Sequence, residues 1–109
     1  MKAWSADDLE VLRLAAGRPY AEFLREPSMS AGLYTLPVGG TDGQSPHGED
    51  EIYIVMAGRS RFTAGDQTRD AAPGDLIFVA AGVSHRFHDI VEELRVLVVF
   101  APPEHSQSD

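Results

Sequence analysis

The sequence predicts an all-β domain, an antiparallel sandwich or closed barrel with a short N-terminal helix or arm. From Tyr20 onward, short apolar or alternating runs are separated by Gly, Pro and Asp clusters every eight to twelve residues. The connections read as hairpins: Gly65-Asp66 is a tight-turn pair, and Pro73-Gly74-Asp75 has the Pro-Gly order of a type II turn. At 109 residues with 43% apolar content, the chain fits one core and shows no internal repeat or low-complexity tract.

The helix is expected over Ser5–Ala16. Ser5 is a capping residue with Asp8 three positions on, Trp4 and Leu9 occupy the staple positions, and Gly17-Arg18-Pro19 ends the element. Leu9, Leu12 and either Val11 or Ala16 are expected to pack. Eight strands follow: Tyr20–Arg25, Ser30–Pro37, Glu51–Ala57, Ser60–Ala64, Thr68–Ala71, Asp75–Val79, His85–Ile90 and Glu93–Phe100. Gly58-Arg59 is read as a tight link between the third and fourth, and Gly58, Gly74 and Gly82 as turn glycines. Ile52 through Ala57, and Leu94 through Phe100 apart from Arg95, are apolar on both parities, so both faces of those strands need cover. A small domain has one interior, which makes a subunit interface the natural cover for the second face. The expected layout is a single domain over 1–109, with an arm or helix at 1–19, the barrel at 20–101 and a flexible tail at 102–109.

Composition narrows the function. Seventeen acidic against nine basic residues give a formal charge of −8, a poor match to phosphates or anionic lipid surfaces, so neither nucleic acid nor membrane is an expected partner. The absence of cysteine removes thiolate nucleophiles, Cys zinc sites and disulfide scaffolds. No apolar run is long enough for a membrane span and the N-terminus lacks the apolar core of a signal peptide, which predicts a cytoplasmic protein. Lys2 is the sole lysine, so Schiff-base chemistry in a barrel is not expected. No Ser-His-Asp spacing, phosphate loop or dinucleotide fingerprint occurs.

The residues with chemical potential are concentrated around the Gly-rich connection Gly39 through Asp50, which runs into the most apolar strand. In an extended chain His47, Glu49, Glu51 and Tyr53 share a face, which sets an imidazole and carboxylates at a barrel mouth. Gly82-Val83-Ser84-His85-Arg86-Phe87-His88 offers a second imidazole pair at another strand start, with His88 on the opposite parity from His85 and Phe87. If the two strands oppose each other across the interior, His47, Glu51 and His85 converge. Two imidazoles and a carboxylate with open positions suit non-haem Fe(II) and, with small geometric changes, Mn, Ni or Zn. In isolation Glu49-Asp50-Glu51 reads as a solvated acidic run and His47 as a loop histidine; joint spacing raises both. Tyr34, Tyr53, Phe62, Phe78 and Phe87 are candidate pocket walls, with ordinary core packing as their alternative.

These residues carry a resemblance to the cupins, small antiparallel jelly-roll β-barrels with two short motifs. The second half of the first motif, H-x3-E-x6-G, is met by His47, Glu51 and Gly58, and the second motif by Gly74, Gly82 and His85. The resemblance implies that Glu51, His47 and His85 bind a divalent metal inside the barrel. Ser45 stands where the family's first histidine is usual, Ala80 where it has proline and Asp89 where it has asparagine. The vacated ligand position is left to water, substrate, Glu49 or Gln44. By this resemblance the chain is expected to be a metal-dependent enzyme acting on a small organic molecule, first as an Fe(II) dioxygenase. The alternatives are a redox-neutral isomerase, lyase or dehydratase using Glu49, Tyr53 or His88 as acid or base, and a non-catalytic binding module. Cupins of this size also imply a homodimer in which the N-terminal strand, here Tyr20–Arg25, extends the partner's sheet, with Leu33, Leu36, Ile52 and Ile54 at the interface.

Overall fold

A computed structural model describes residues 1–17, 19–43 and 48–106. The helix α1 spans Ala6–Ala16 and forms where its signals predict it. Asp8 N–H donates to Ser5 Oγ at 3.0 Å and Ser5 N–H to Asp8 Oδ2 at 2.9 Å, so both halves of the capping box are present. Gly17 ends the helix in the left-handed conformation at φ 63°. Trp4 meets Phe23 edge-on at 5.0 Å, tying the arm to the first strand. The helix fully buries none of its residues: Leu9 and Ala16 are half-buried, while Val11 and Leu14 face solvent. Leu12 therefore does not pack as expected, and of the alternatives Val11 and Ala16 it is Ala16 that is partly covered; the sheet meets the helix along Ala6, Leu9, Glu10 and Arg13.

Six strands follow: β1 Tyr20–Glu26, β2 Met29–Leu36, β3 Asp50–Ala64, β4 Gln67–Ala71, β5 Leu76–Val79 and β6 His85–Ala101. All pairings are antiparallel, in the order β1-β2-β6-β3-β4, with β5 also on β3. Eight expected strands become six because two breaks read from the sequence are bulges. Gly58 does not turn the chain. It sits inside β3 at φ 92°, where a Cβ would lie 2.1 Å from the Glu93 carbonyl oxygen. Around it the β3–β6 register shifts between Val55 and Ala57, Ala57 and Arg59, and Arg59 and Arg61. The bulges change parity: Glu51, Tyr53 and Val55 are buried on one side of them and Ser60 and Phe62 on the other. In β6 the same change falls between Phe87 and Ile90, at Asp89, whose φ of 50° a short carboxamide or carboxylate side chain tolerates. The other turns fall where expected: Ala72 C=O accepts from Asp75 N–H at 3.1 Å around Pro73-Gly74, and Gly65-Asp66 joins β3 to β4.

The core centres on Tyr53, Phe62, Phe87, Leu94, Val96, Val98 and Phe100. Residues 102–106, expected as part of a flexible tail, are held against the barrel. Glu104 N–H donates to Ser30 Oγ at 2.9 Å, Arg25 to Glu104 C=O at 3.1 Å, and His105 N–H to Glu49 Oε1 at 3.2 Å. No helix is long and apolar enough to cross a membrane, among the described residues.

Candidate metal centre

The start of β3 aims Glu49, Glu51 and Tyr53 to one side by strand alternation, and the start of β6 does the same for His85 and Phe87. Asp50, pointing the other way, accepts from Ala81 N–H at 2.9 Å and so ties the β3 start to the loop preceding His85. Glu51, Tyr53 and His85 meet in the interior, none more than 5% exposed. His85 Nε2 lies 2.9 Å from Glu51 Oε1 and 3.1 Å from the Tyr53 hydroxyl, while Nδ1 is 2.8 Å from the Val83 carbonyl oxygen. A carbonyl only accepts, so Nδ1 carries a proton and Nε2 is the nitrogen presented to the interior. Burial opposes charging of the imidazole, but Glu51, the Val83 carbonyl and Asp42 outweigh it and hold the His85 pKa above its ordinary value.

The Glu51–His85 contact is close but poorly directed. Neither Glu51 oxygen is aligned with a hydrogen-bond donor among the described residues. A buried carboxylate left in this way costs free energy unless a cation or further donors complete its shell. The set therefore fits a divalent first-row metal: a carboxylate with open lone pairs and an imidazole nitrogen held by a backbone carbonyl. Among the described residues no three His, Asp or Glu side chains converge. The third expected ligand, His47, lies outside the described residues, as do Gln44 and Ser45.

The remaining candidates divide. Phe62 and Phe87 pack on Tyr53 with ring centroids at 5.6 and 5.0 Å, and Phe62 approaches the His85 ring at 6.1 Å, so both form the wall of this centre. Phe78 does not line it. Its register partner is Ile52, on the outer face, and it is 57% exposed beside Gln67, Thr68 and Arg69 at a surface groove. Within β5 it is Ile77 and Val79 that face inward, so Phe78 is not the pocket wall expected of it. Glu49 is buried but engaged by the His105 backbone N–H. His88 faces away, 2.7 Å from Thr63 Oγ1 and 2.9 Å from Asp89 Oδ2. Leu36, expected at an interface, belongs to the core, and Leu33, although on the outer sheet face, shares a pocket with Ala6 and Leu9 of α1.

Sequence reasoning missed Asp42 and Tyr20. Asp42 is 5% exposed and accepts from the Tyr34 hydroxyl at 2.7 Å and from Phe87 N–H at 2.9 Å, which locks residue 42 onto β2 and the β6 start. Nothing in a Gly-rich loop distinguishes this aspartate from a turn residue. Tyr20 leans across Gly32, where a Cβ would lie 2.2 Å from its Cζ, and a glycine in mid-strand was the available signal.

The chain is thus a small antiparallel jelly roll with an imidazole–carboxylate pair buried inside it. Residues 32–100 match the family model described as a cupin domain, and the chain belongs to that family. It is 53% identical over 104 residues to the uncharacterised protein SCO3923 of Streptomyces coelicolor, covering 95% of this chain and 99% of that one. Its fold is similar to that of TT1209 from Thermus thermophilus, with a TM-score of 0.74 at 24% identity over 94% of this chain and 99% of the other. BH2720 from Bacillus halodurans is likewise similar, with a TM-score of 0.76 at 17% identity over 95% and 84%.

Proposed function

We propose that the protein is a metal-dependent cupin enzyme acting on a small organic molecule, with dioxygenase-type oxidation as the first reaction to test. The observation that carries this reading is the buried Glu51 carboxylate, 2.9 Å from His85 Nε2 yet without an aligned hydrogen-bond donor among the described residues. Glu51 and His85, with His47, would hold the ion, Fe(II) first and Mn, Ni or Zn otherwise. The metal would supply Lewis acidity and, when redox-active, oxidation by O2 in which both oxygen atoms pass to the substrate without an external reductant. Phe62 and Phe87 exclude water. The Tyr53 hydroxyl, hydrogen-bonded to His85 Nε2, is the candidate group for holding a proton against substrate, and Glu49 is the second. That phenol favours a redox-neutral isomerase, lyase or dehydratase as the second reading, because proton transfer needs no O2.

The same reading includes a homodimer. Phe78, Ile52 and Val99, and beside them Leu76, Ile54 and Leu97, form two apolar rows across the outer face of β5, β3 and β6, while Ala31 and Leu33, which continue these rows on β2, are buried within the protomer. Phe78 and Leu76 are 57% and 59% exposed, and an uncharged face of this kind is complementary to a second copy of itself.

The deciding experiment is metal content per chain of protein purified without an affinity tag, with His85→Ala as control, followed by O2 uptake with Fe(II). About one equivalent of metal, lost in His85→Ala, is expected. A wild-type protein that holds no metal and takes up neither Fe(II) nor Zn(II) overturns the reading and leaves a non-catalytic binding barrel.

A further inference from the structure

Beyond Ala101, where β6 ends, residues 102–106 cross the end of the barrel at which Glu51 lies. Ser30, Phe100 and Glu51 are register partners in one inward row across β2, β6 and β3, none more than 2% exposed. Glu49, also 2% exposed, continues the inward face of β3 past Glu51. The segment bridges the two sides of this row. Glu104 N–H donates to Ser30 Oγ at 2.9 Å and His105 N–H to Glu49 Oε1 at 3.2 Å, while Arg25 donates to the Glu104 carbonyl at 3.1 Å. Ser106 N–H closes a turn onto the Pro103 carbonyl at 3.0 Å, and it is within this turn that both donors are aimed at the barrel.

The segment is built to move. It joins no strand, so lifting it breaks no strand pairing. Pro103 is buried but His105 and Ser106 are exposed, so little apolar surface holds it down. His105, the third residue of the turn, sits in the left-handed region at φ 65°, a conformation that strains a residue with a Cβ and is relieved when the turn opens. Glu51, Tyr53 and His85 are at most 5% exposed, so an ion or ligand reaches them only when some cover moves.

We propose that residues 102–106 are a hinged strap over the Glu51 end of the barrel, closed in this structure, whose opening admits metal and ligand to the centre. The inference concerns access to the centre proposed above and rests on that reading for what enters. The latch is the pair of backbone donors at Glu104 and His105. Its release also withdraws the His105 donor from Glu49, so access and the second candidate group for proton transfer are coupled to one movement.

The test uses the full chain with Ser30→Ala, which removes one latch acceptor, and His105→Gly, which keeps the backbone donor and removes the left-handed strain. In metal-free protein, modification of His85 by diethyl pyrocarbonate is followed by peptide mass spectrometry at fixed pH, with the outward-facing His88 as reference. The expected result is modification of His85 about fivefold faster in Ser30→Ala and about threefold slower in His105→Gly, with His88 unchanged. These rates should hardly vary with urea below the unfolding transition, because lifting the strap exposes little surface. In protein loaded with Zn(II), the rates of uptake and of loss to a chelator should both change by the same factors with Kd unaltered, as a gate acting equally on entry and exit requires. Equal His85 rates in all three proteins, rates that climb with urea as steeply as global unfolding, or faster zinc loss without matching uptake overturns the strap. Failure of the wild type to bind zinc overturns the metal reading alone, since the modification rates then decide the strap.

Discussion

Asp42 gives the sharpest test of how the site is held. Its carboxylate, 5% exposed, accepts from the Tyr34 hydroxyl and from the N–H of Phe87, a residue with no exposed surface. Asp42→Ala leaves both donors without this acceptor. Hydrogen bonds to charged groups are worth about 1.5–3 kcal/mol each, the half-buried Tyr34 recovers part of its loss from water, and removing a buried charge returns some desolvation. The net cost expected is about 3–4 kcal/mol. For a chain of this size about 0.23 kcal/mol corresponds to one degree, so the midpoint should fall by about 13–17 °C. Asp42→Asn should lose only about 1 kcal/mol, because its carbonyl accepts from Phe87 N–H and its amide donates to the phenol oxygen. Urea unfolding of both variants, with Tyr34→Phe completing a double-mutant cycle, measures the pairwise share, expected at about 1 kcal/mol. An Asp42→Ala protein within 1 kcal/mol of the wild type, or an Asn variant as damaged as the Ala variant, would refute the assignment of Asp42 as the clamp between β2 and β6.

Gly58→Ala should cost more than about 2 kcal/mol, since φ is 92° and the Glu93 carbonyl must move, whereas Gly65→Ala, at φ 60° in open space, should cost only about 1 kcal/mol of left-handed strain; similar losses in chemical denaturation would contradict the bulge geometry. Tyr20 and Tyr34 both have raised pKa values, led in each case by burial, so phenolate absorbance should show them titrating above the ordinary pKa of about 10. Their contribution to stability is complete below that value and is lost as pH climbs toward the folded pKa, because the unfolded chain gives up its protons first; two ordinary phenols in the native titration would be the contrary result. Zn(II) at a hundredfold excess over its Kd should stabilise the wild type by about 2.7 kcal/mol and Glu51→Ala by much less, as read from melting curves. Phe78→Asp should shift the sedimentation coefficient from dimer to monomer, and a wild type already monomeric at micromolar concentration would remove the dimer from the proposal.

The helix, the hairpins and most strand boundaries were legible because they rest on local chemistry: the Ser5–Asp8 reciprocal cap, Gly17 in the left-handed conformation, Pro73-Gly74 and Gly65-Asp66. So was the approach of Glu51 to His85, with Tyr53 on the same face as Glu51 because period-two alternation survives inside a strand, whereas His47, the third residue expected to converge there, lies outside the described residues. What was not legible depends on where alternation slips. Gly58 looks like a turn glycine in sequence, and only the opposing Glu93 backbone shows why no side chain fits. Phe78 reads as a pocket wall in sequence, because the facing of a four-residue strand follows from its pairing, here with Ile52, rather than from its own pattern. Asp42 and Tyr20 depend on contacts across 45 and 12 residues, which no local spacing encodes. The segment 102–106 had the composition of a tail, yet its backbone N–H groups find Ser30 and Glu49.

The bulges also explain how the site exists at all. Glu51 pairs with Phe100, near the end of β6, whereas His85, at the start of β6, pairs with Ala64. Along a straight ribbon the rise from Glu51 to Ala64 would be roughly 40 Å at about 3.3 Å per residue. The two side chains are 2.9 Å apart, so the β3–β6 ribbon must fold back on itself between them. The register shifts between Val55 and Arg61, with Gly58 in close contact with the Glu93 backbone, are where pairing yields to curvature. The parity change at the same place keeps Phe62 and Phe87 inward, so that the halves brought together present an apolar wall to the polar pair. A glycine with no chemistry of its own thus controls the distance between the two proposed ligands. Any substitution that straightens the ribbon there should separate Glu51 from His85 before it alters either side chain.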